Sequence, residues 1–241
     1  CLVGSEMCIR DRIDTAQSYF NEEKVGQALA ESGIPRRDIF LTTKVWVEHY
    51  GYEETKKSVY ISLEKLKTEY LDLMLLHQPF ADYYGAYRAL EDLYTEGVIR
   101  AIGVSNFYPD RLVDIANFAR IVPMVNQVET HPLNQQTEAM KWMKKYDVQI
   151  EAWAPFGEGR GGLFENDVLT AIGKKYNKTA AQVMLRWNLQ RGVVVLPKST
   201  HKERMEQNFN VFDFSLTEED MQKITAMDTH CLLYTSDAAD E

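Results

Sequence analysis

Cysteine is nearly absent from this chain of 241 residues: there are three, Cys1, Cys8 and Cys231, and residues 9–230 contain none. That long body uses neither a disulfide framework nor a thiolate nucleophile. Long apolar runs are missing as well. No stretch approaches the ~18 consecutive apolar residues of a membrane helix, and the N-terminus lacks the basic-then-apolar order of a secretory signal. The expectations are therefore a cytoplasmic address and no membrane partner. Positive charge is in short supply, with 27 Lys and Arg against 36 Asp and Glu, a net charge of −9. A surface of this sign repels polyanions, so nucleic acid is not an expected partner and any phosphate-bearing ligand needs a local basic pocket. There is no H-x-x-x-H metal cluster, and no serine has a base at a recognisable spacing. Linkers rich in Gly, Pro or Ser are lacking too. With 45% apolar and 26% charged residues, the composition is that of one globular domain, expected here as a monomer.

What is present is a rhythm. Runs rich in aliphatic and β-branched residues alternate with segments of helical period, the pattern of repeated βα units and a parallel sheet. "IFLTTKV" (39–45) precedes a helical 53–69, and "LDLMLLH" (71–77) precedes 83–97, which Gly97 stops. "IRAIGVSN" (99–106) leads to 109–120, "MVNQVE" (124–129) to 134–146, "VQIEAW" (148–153) to two helical stretches around 165–190, and "GVVVLPKS" (192–199) to two short helices. With "IDTA" at 13–16, seven strand ends are legible. Strands this apolar are covered on both faces, and a spacing of about 25–35 residues per unit suits a (β/α)₈ barrel. One strand before Ile13 is expected to be missing.

In such a barrel the active face lies where strands end. The ends carry Asp14 with nearby Tyr19, then Lys44, His77, Ser105 and Asn106, Gln127, Trp153, and Lys198 with Ser199. Each alone has an ordinary reading as a turn residue, a snorkelling lysine or a satisfied histidine; seven in register are harder to explain that way. A tyrosine titrates near ~10 and is a poor acid at neutral pH unless a cation stabilises its phenolate. Lys44 can be that cation, Asp14 can hold Lys44, and His77 can offer an N–H to a carbonyl oxygen. Carbonyl reduction fits this set better than hydrolysis.

These segments resemble the aldo-keto reductase family, in particular its bacterial diketogluconate-reductase type. "IDTAQSY", "LTTKVW" and "LDLMLLHQP" are similar to the segments that carry the family's catalytic residues, here Asp14, Tyr19, Lys44 and His77. "GVIRAIGVSNF", "VNQVE", "EAWAP" and "LPKSTHKERMEQN" are similar to its cofactor-binding segments. The resemblance implies Ser105, Asn106 and Gln127 at the nicotinamide carboxamide and Trp153 stacked on the ring. It assigns Lys198, Ser199, Thr200, Arg204, Gln207 and Asn208 to the segment holding the adenosine 2′-phosphate. It also places Trp46 with His77 in the substrate pocket. The implied cofactor is NADPH, the partner a small-molecule carbonyl substrate, and the fold an α/β (β/α)₈ TIM barrel, here without its first strand and C-terminal segment. Where the family often has tryptophan after the histidine, this chain has Gln78, so a more polar pocket wall is expected. A binding subunit that barely turns over and a phosphosugar-binding barrel are the alternative readings.

Four smaller expectations complete the picture. Thr200 and Glu203 have capping-box spacing, so a helix is expected to begin there. "GEGRGG" (157–162) satisfies G-x-G-x-x-G, but position 182 is Gln where a Rossmann site wants an acid at a strand end. A loop over the cofactor pyrophosphate, with Arg160 as a phosphate contact, or a plain flexible loop, fits better. Trp142, Trp187 and the methionines at helical spacing read as core, and His49, His131 and His201 as loop or helix-start residues without a ligand partner. Lastly, the segments 1–12 and 230–241 share no periodicity with what they flank. They read as non-native additions to a single domain over 13–229, and poor solubility is expected of a barrel so trimmed.

Overall fold

The structure is a computed structural model and describes residues 12–230. Apart from Arg12 and His230, the expected flanks lie outside the described residues. The chain runs β1 (Arg12–Asp14), α1 (Glu22–Glu31), β2 (Phe40–Val45), α2 (Tyr52–Leu66), β3 (Leu73–Leu76), α3 (Tyr83–Thr95), β4 (Ile102–Ser105), α4 (Pro109–Phe118), β5 (Val125–Glu129) and α5 (Thr137–Lys145). It continues with β6 (Gln149–Trp153), α6 (Asp167–Tyr176), α7 (Ala180–Gln190), β7 (Val194–Val195), α8 (Lys202–Phe209) and α9 (Glu218–Thr225). The strands lie in chain order, and β1–β2, β2–β3, β3–β4, β4–β5 and β6–β7 pair in parallel. This is the strand order of a (β/α)₈ barrel with seven of its strands described.

Contacts divide the described residues into two compact units. The first runs to Gln127 and includes Lys141–Gln149; the second holds Val128–Met140 and the chain from Ile150 onward. In the first, all of Leu41–Val45 and Leu73–Leu76 are buried. Both strands are covered on two faces; β3 accordingly reads as a continuous apolar run, while β2 buries Thr42, Thr43 and Lys44 between Leu41 and Val45. Helix α1 lies so close to α2 that a Cβ on Gly26 would come within 2.2 Å of the Lys65 carbonyl oxygen. Gly97 ends the α3 region at φ +80°, a conformation that suits glycine. In the second unit, Leu169, Ile172, Val183, Met184, Trp187 and Ile224 form the core between α6, α7 and α9. Thr179 and Thr217 cap α7 and α9 with reciprocal capping boxes.

Several expectations are corrected. Helix α8 begins at Lys202 with His201 as its N-cap and no side-chain cap, so the Thr200–Glu203 capping box does not form. The reason is local competition: Ser199 Oγ accepts the His201 N–H at 3.1 Å, and this turn takes the place of the cap. The run 192–199 contributes only Val194–Val195 as strand, since Pro197 has no N–H to give a ladder. Trp187 is fully buried, but Trp142 is half-buried with Lys145 Nζ 4.8 Å from its ring centroid, and Met205 is largely exposed. His131, expected as a loop residue, is tied to a neighbouring carboxylate. Its Nε2 lies 2.9 Å from Glu129 Oε1, both side chains fully buried.

Candidate active site

The first unit gathers its polar strand-end residues into one array. Lys44 and Asp14 sit on neighbouring parallel strands whose register pairs Asp14 with Thr42 and Lys44 with Leu75. The Lys44 ammonium, on a side chain 1% exposed, ion-pairs with Asp14 and donates to the Thr15 carbonyl at 3.1 Å. The second carboxylate oxygen of Asp14 accepts from Gln127 Nε2 at 2.9 Å. A buried cation is costly unless paired and hydrogen-bonded, and Asp14 supplies the pair while Gln127 holds the carboxylate in place.

Tyr19 stands in the short 3-10 turn Gln17–Tyr19 that follows β1, its side chain half in solvent. Lys44 Nζ is 5.1 Å from the centre of its ring. His77 follows β3 directly, and its backbone is held on both sides. Its N–H donates to Val45 O at 3.1 Å, and its carbonyl accepts from Asn106 Nδ2 at 3.2 Å. The imidazole stands edge-on to Tyr19 (5.7 Å, 83°) and to Trp46 (5.2 Å, 72°). Burial, and then the nearby Lys44 charge, push its pKa down to about 3. His77 is thus a neutral donor-acceptor at physiological pH rather than a cation.

Ser105 Oγ donates to the Gln127 carbonyl at 3.0 Å, and the Asn106 N–H donates to the same oxygen at 2.9 Å. Asn106 takes a left-handed backbone, φ 62°, which turns the chain out of β4 toward His77. Two groups essential to this arrangement escaped the sequence reading. Gln17 donates through Nε2 to Ser58 O and Ser62 Oγ and accepts the Trp46 N–H on Oε1 at 2.9 Å. Tyr50 Oη donates to Gln78 O at 2.8 Å and accepts from its N–H at 3.1 Å. The only sequence signal for either was its nearness to a strand end. A third is Ser18, whose Oγ lies 3.2 Å from His77 Nδ1.

The remaining predicted residues belong to the second unit. Trp153 ends β6, half-buried. Lys198, Thr200 and Arg204 are exposed, and neither Lys198 nor Arg204 has an ion pair or hydrogen bond among the described residues. Gln207 is exposed, its carbonyl accepting from Gln182 Nε2 at 3.1 Å, and Asn208 is buried. The glycine-rich loop is no strand-to-helix turn: Gly157, Glu158 and Gly159 form a 3-10 turn, Gly161 and Gly162 lead to a second over Leu163–Glu165, and all five have positive φ. In an acidic chain, two free cations, Arg204 in the first turn of α8 and Lys198 four residues before that helix, fit a phosphate-bearing cofactor.

Parallel βα units with polar residues collected at the strand C-termini define an enzyme of the (β/α)₈-barrel class. The sequence profile of the Aldo/keto reductase family matches residues 7–229. A glyoxal reductase of Bacillus subtilis is 50% identical over 216 residues, covering 89% of this chain and 78% of that protein. Among solved structures, MGS-M4, an aldo-keto reductase from a Medee basin deep-sea metagenome library, superposes with a TM-score of 0.91 at 43% identity, covering 96% of this chain and 88% of that one. An aldo-keto reductase of Bombyx mori, solved in complex with NADP, gives 0.90 at 32% identity, covering 98% and 85%. This chain belongs to the aldo/keto reductase family. It is an NAD(P)H-dependent oxidoreductase that reduces carbonyl compounds.

Proposed function

We propose that the protein reduces an aldehyde or ketone to the alcohol with NADPH, taking the proton from Tyr19. The observation that carries this reading is the buried Lys44–Asp14 pair beside the Tyr19 ring, next to a neutral His77. Bound NADPH would supply the hydride. Tyr19, half-exposed, gives its proton to the carbonyl oxygen. The Lys44 charge stabilises the negative charge left on the phenol oxygen, and Asp14 keeps Lys44 charged and aimed. His77 hydrogen-bonds the same carbonyl oxygen from a ring that packing keeps in one orientation. Trp46, fixed by Gln17, forms a wall of the substrate pocket.

Ser105, Asn106 and Gln127 are proposed to meet the nicotinamide carboxamide, with Trp153 against the ring. Lys198, Ser199, Thr200, Arg204, Gln207 and Asn208 would take the adenosine 2′-phosphate, where the free cations support NADPH over NADH. A panel including glyoxal, methylglyoxal and aromatic aldehydes, followed by loss of reduced-nicotinamide absorbance, tests the reading. Steady turnover of at least one carbonyl with NADPH supports it. A single slow oxidation of bound NADPH with no steady state would favour a binding role instead.

A further inference from the structure

A neutral imidazole has one N–H, on Nδ1 or on Nε2, and its neighbours decide which. At His77 the position of the ring is already settled by the backbone hydrogen bonds to Val45 and Asn106 and by the edge-on contacts with Tyr19 and Trp46. The location of the proton is what remains. Among the described residues the ring has one hydrogen-bond partner, the Ser18 hydroxyl, 3.2 Å from Nδ1. We propose that Ser18 is a positioning residue: its hydroxyl donates to His77 Nδ1 and so keeps the imidazole hydrogen on Nε2, the nitrogen left to meet the carbonyl oxygen. With the proton on Nδ1, Nε2 would present a lone pair to the lone pairs of the carbonyl oxygen and could not donate.

The local fold delivers Ser18 together with Tyr19. Both lie in the turn Gln17–Tyr19, closed by Tyr19 N–H to Ala16 O (3.1 Å) and Phe20 N–H to Gln17 O (3.2 Å). Phe20 leaves it through a left-handed backbone at φ 51°. The Gln17 side chain ties the turn to Ser58, Ser62 and Trp46. Three consecutive residues thus present the proposed acid, orient its neighbouring donor and fix the pocket wall. A serine beside a histidine also suggests a nucleophile and its base. Burial and the Lys44 charge, which hold His77 down to about 3, leave it too weak a base to take the Ser18 proton at neutral pH.

The inference rests on the reading of His77 as the carbonyl donor, and the test separates the two. The full chain, labelled with ¹⁵N-histidine, is examined by long-range ¹H–¹⁵N spectroscopy, with His77→Gln identifying the His77 signals. Ser18→Ala and Ser18→Thr are compared in the same way, and kcat is measured with methylglyoxal and NADPH. The wild type is expected to show the Nε2–H tautomer. Ser18→Ala is expected to show a mixture, with kcat lowered about three- to tenfold, the range a net hydrogen bond supports, and the NADPH KM unchanged. Ser18→Thr restores both. A retained Nε2–H tautomer in Ser18→Ala, or a mixed tautomer with undiminished kcat, overturns the role of Ser18. A fully active His77→Ala, which leaves no side-chain donor at that position, overturns the donor reading, and this inference with it. If His77→Ala is slow and Ser18→Ala changes nothing, only the Ser18 assignment fails.

Discussion

The strand-end array of the first unit and the segment 198–208 of the second hold charge in opposite ways. In the array, the one cation is buried and already neutralised: Lys44 is ion-paired with Asp14, and Asp14 is held in turn by Gln127. Around it Gln17, Ser18, Tyr50 and Asn106 each fix a neighbour. In the segment, Lys198 and Arg204 stand in solvent without a partner among the described residues, and the Lys202–Glu206 contact is a loose 3.9 Å pair, i to i+4. The difference suits the two tasks proposed for them. Proton transfer needs groups oriented before the substrate arrives, because reorienting them during reaction costs rate. Holding a phosphate requires only available cations, since the ligand brings its own counter-charge.

The comparison breaks most sharply at Tyr19. Tyr19→Phe is expected to lower kcat at least ~100-fold while NADPH affinity stays within a few-fold, measured by steady-state kinetics and cofactor fluorescence titration. Near-normal turnover would remove Tyr19 as the acid. Lys44→Met should lower kcat by a similar order, ~100-fold, and also change the shape of the pH–rate profile, because the charge that balances the phenolate is gone; an unaltered profile would count against the pair.

In the segment, Arg204→Ala should weaken NADPH binding about ten- to a hundredfold and leave NADH nearly unchanged, the loss of one charge-assisted contact. Equal losses for both cofactors would show that Arg204 does not read the 2′-phosphate.

Stability sharpens the contrast further. The unfolded chain takes up a proton on histidine below about pH 6.5, and folded His77 refuses it until about pH 3. Its burial therefore costs nothing above that window and lowers stability as pH falls through it. Between about pH 7 and about pH 5 the wild type should lose ~2 kcal/mol more than His77→Gln in urea unfolding. Parallel losses in the two proteins would contradict a buried neutral imidazole. The smallest effect concerns caps. Thr179→Ala removes a formed capping box and should cost ~0.5–2 kcal/mol, whereas Thr200→Ala removes none and should stay within about 0.5 kcal/mol.

The sequence by itself determined the strand-helix rhythm, because strands buried on both faces are rich in aliphatic residues even where, as in β2 and β5, buried polar side chains interrupt them. It also marked the polar residues that interrupt those runs at their ends, which is why Asp14, Lys44, His77, Ser105 and Gln127 were legible one by one. The one helix start expected from a capping-box spacing, at Thr200, does not form because the adjacent serine turn wins. Tertiary structure alone decided the pairings across sequence distance. Gln127 reaches Asp14 over 113 positions, Gln17 reaches Trp46 over 29, and Ser18 meets His77 over 59. No local pattern encodes such contacts, since each depends on the register of parallel strands joined through helices. The depressed pKa of His77 is of the same kind: burial and a neighbouring charge set it, and both exist only once the chain has folded.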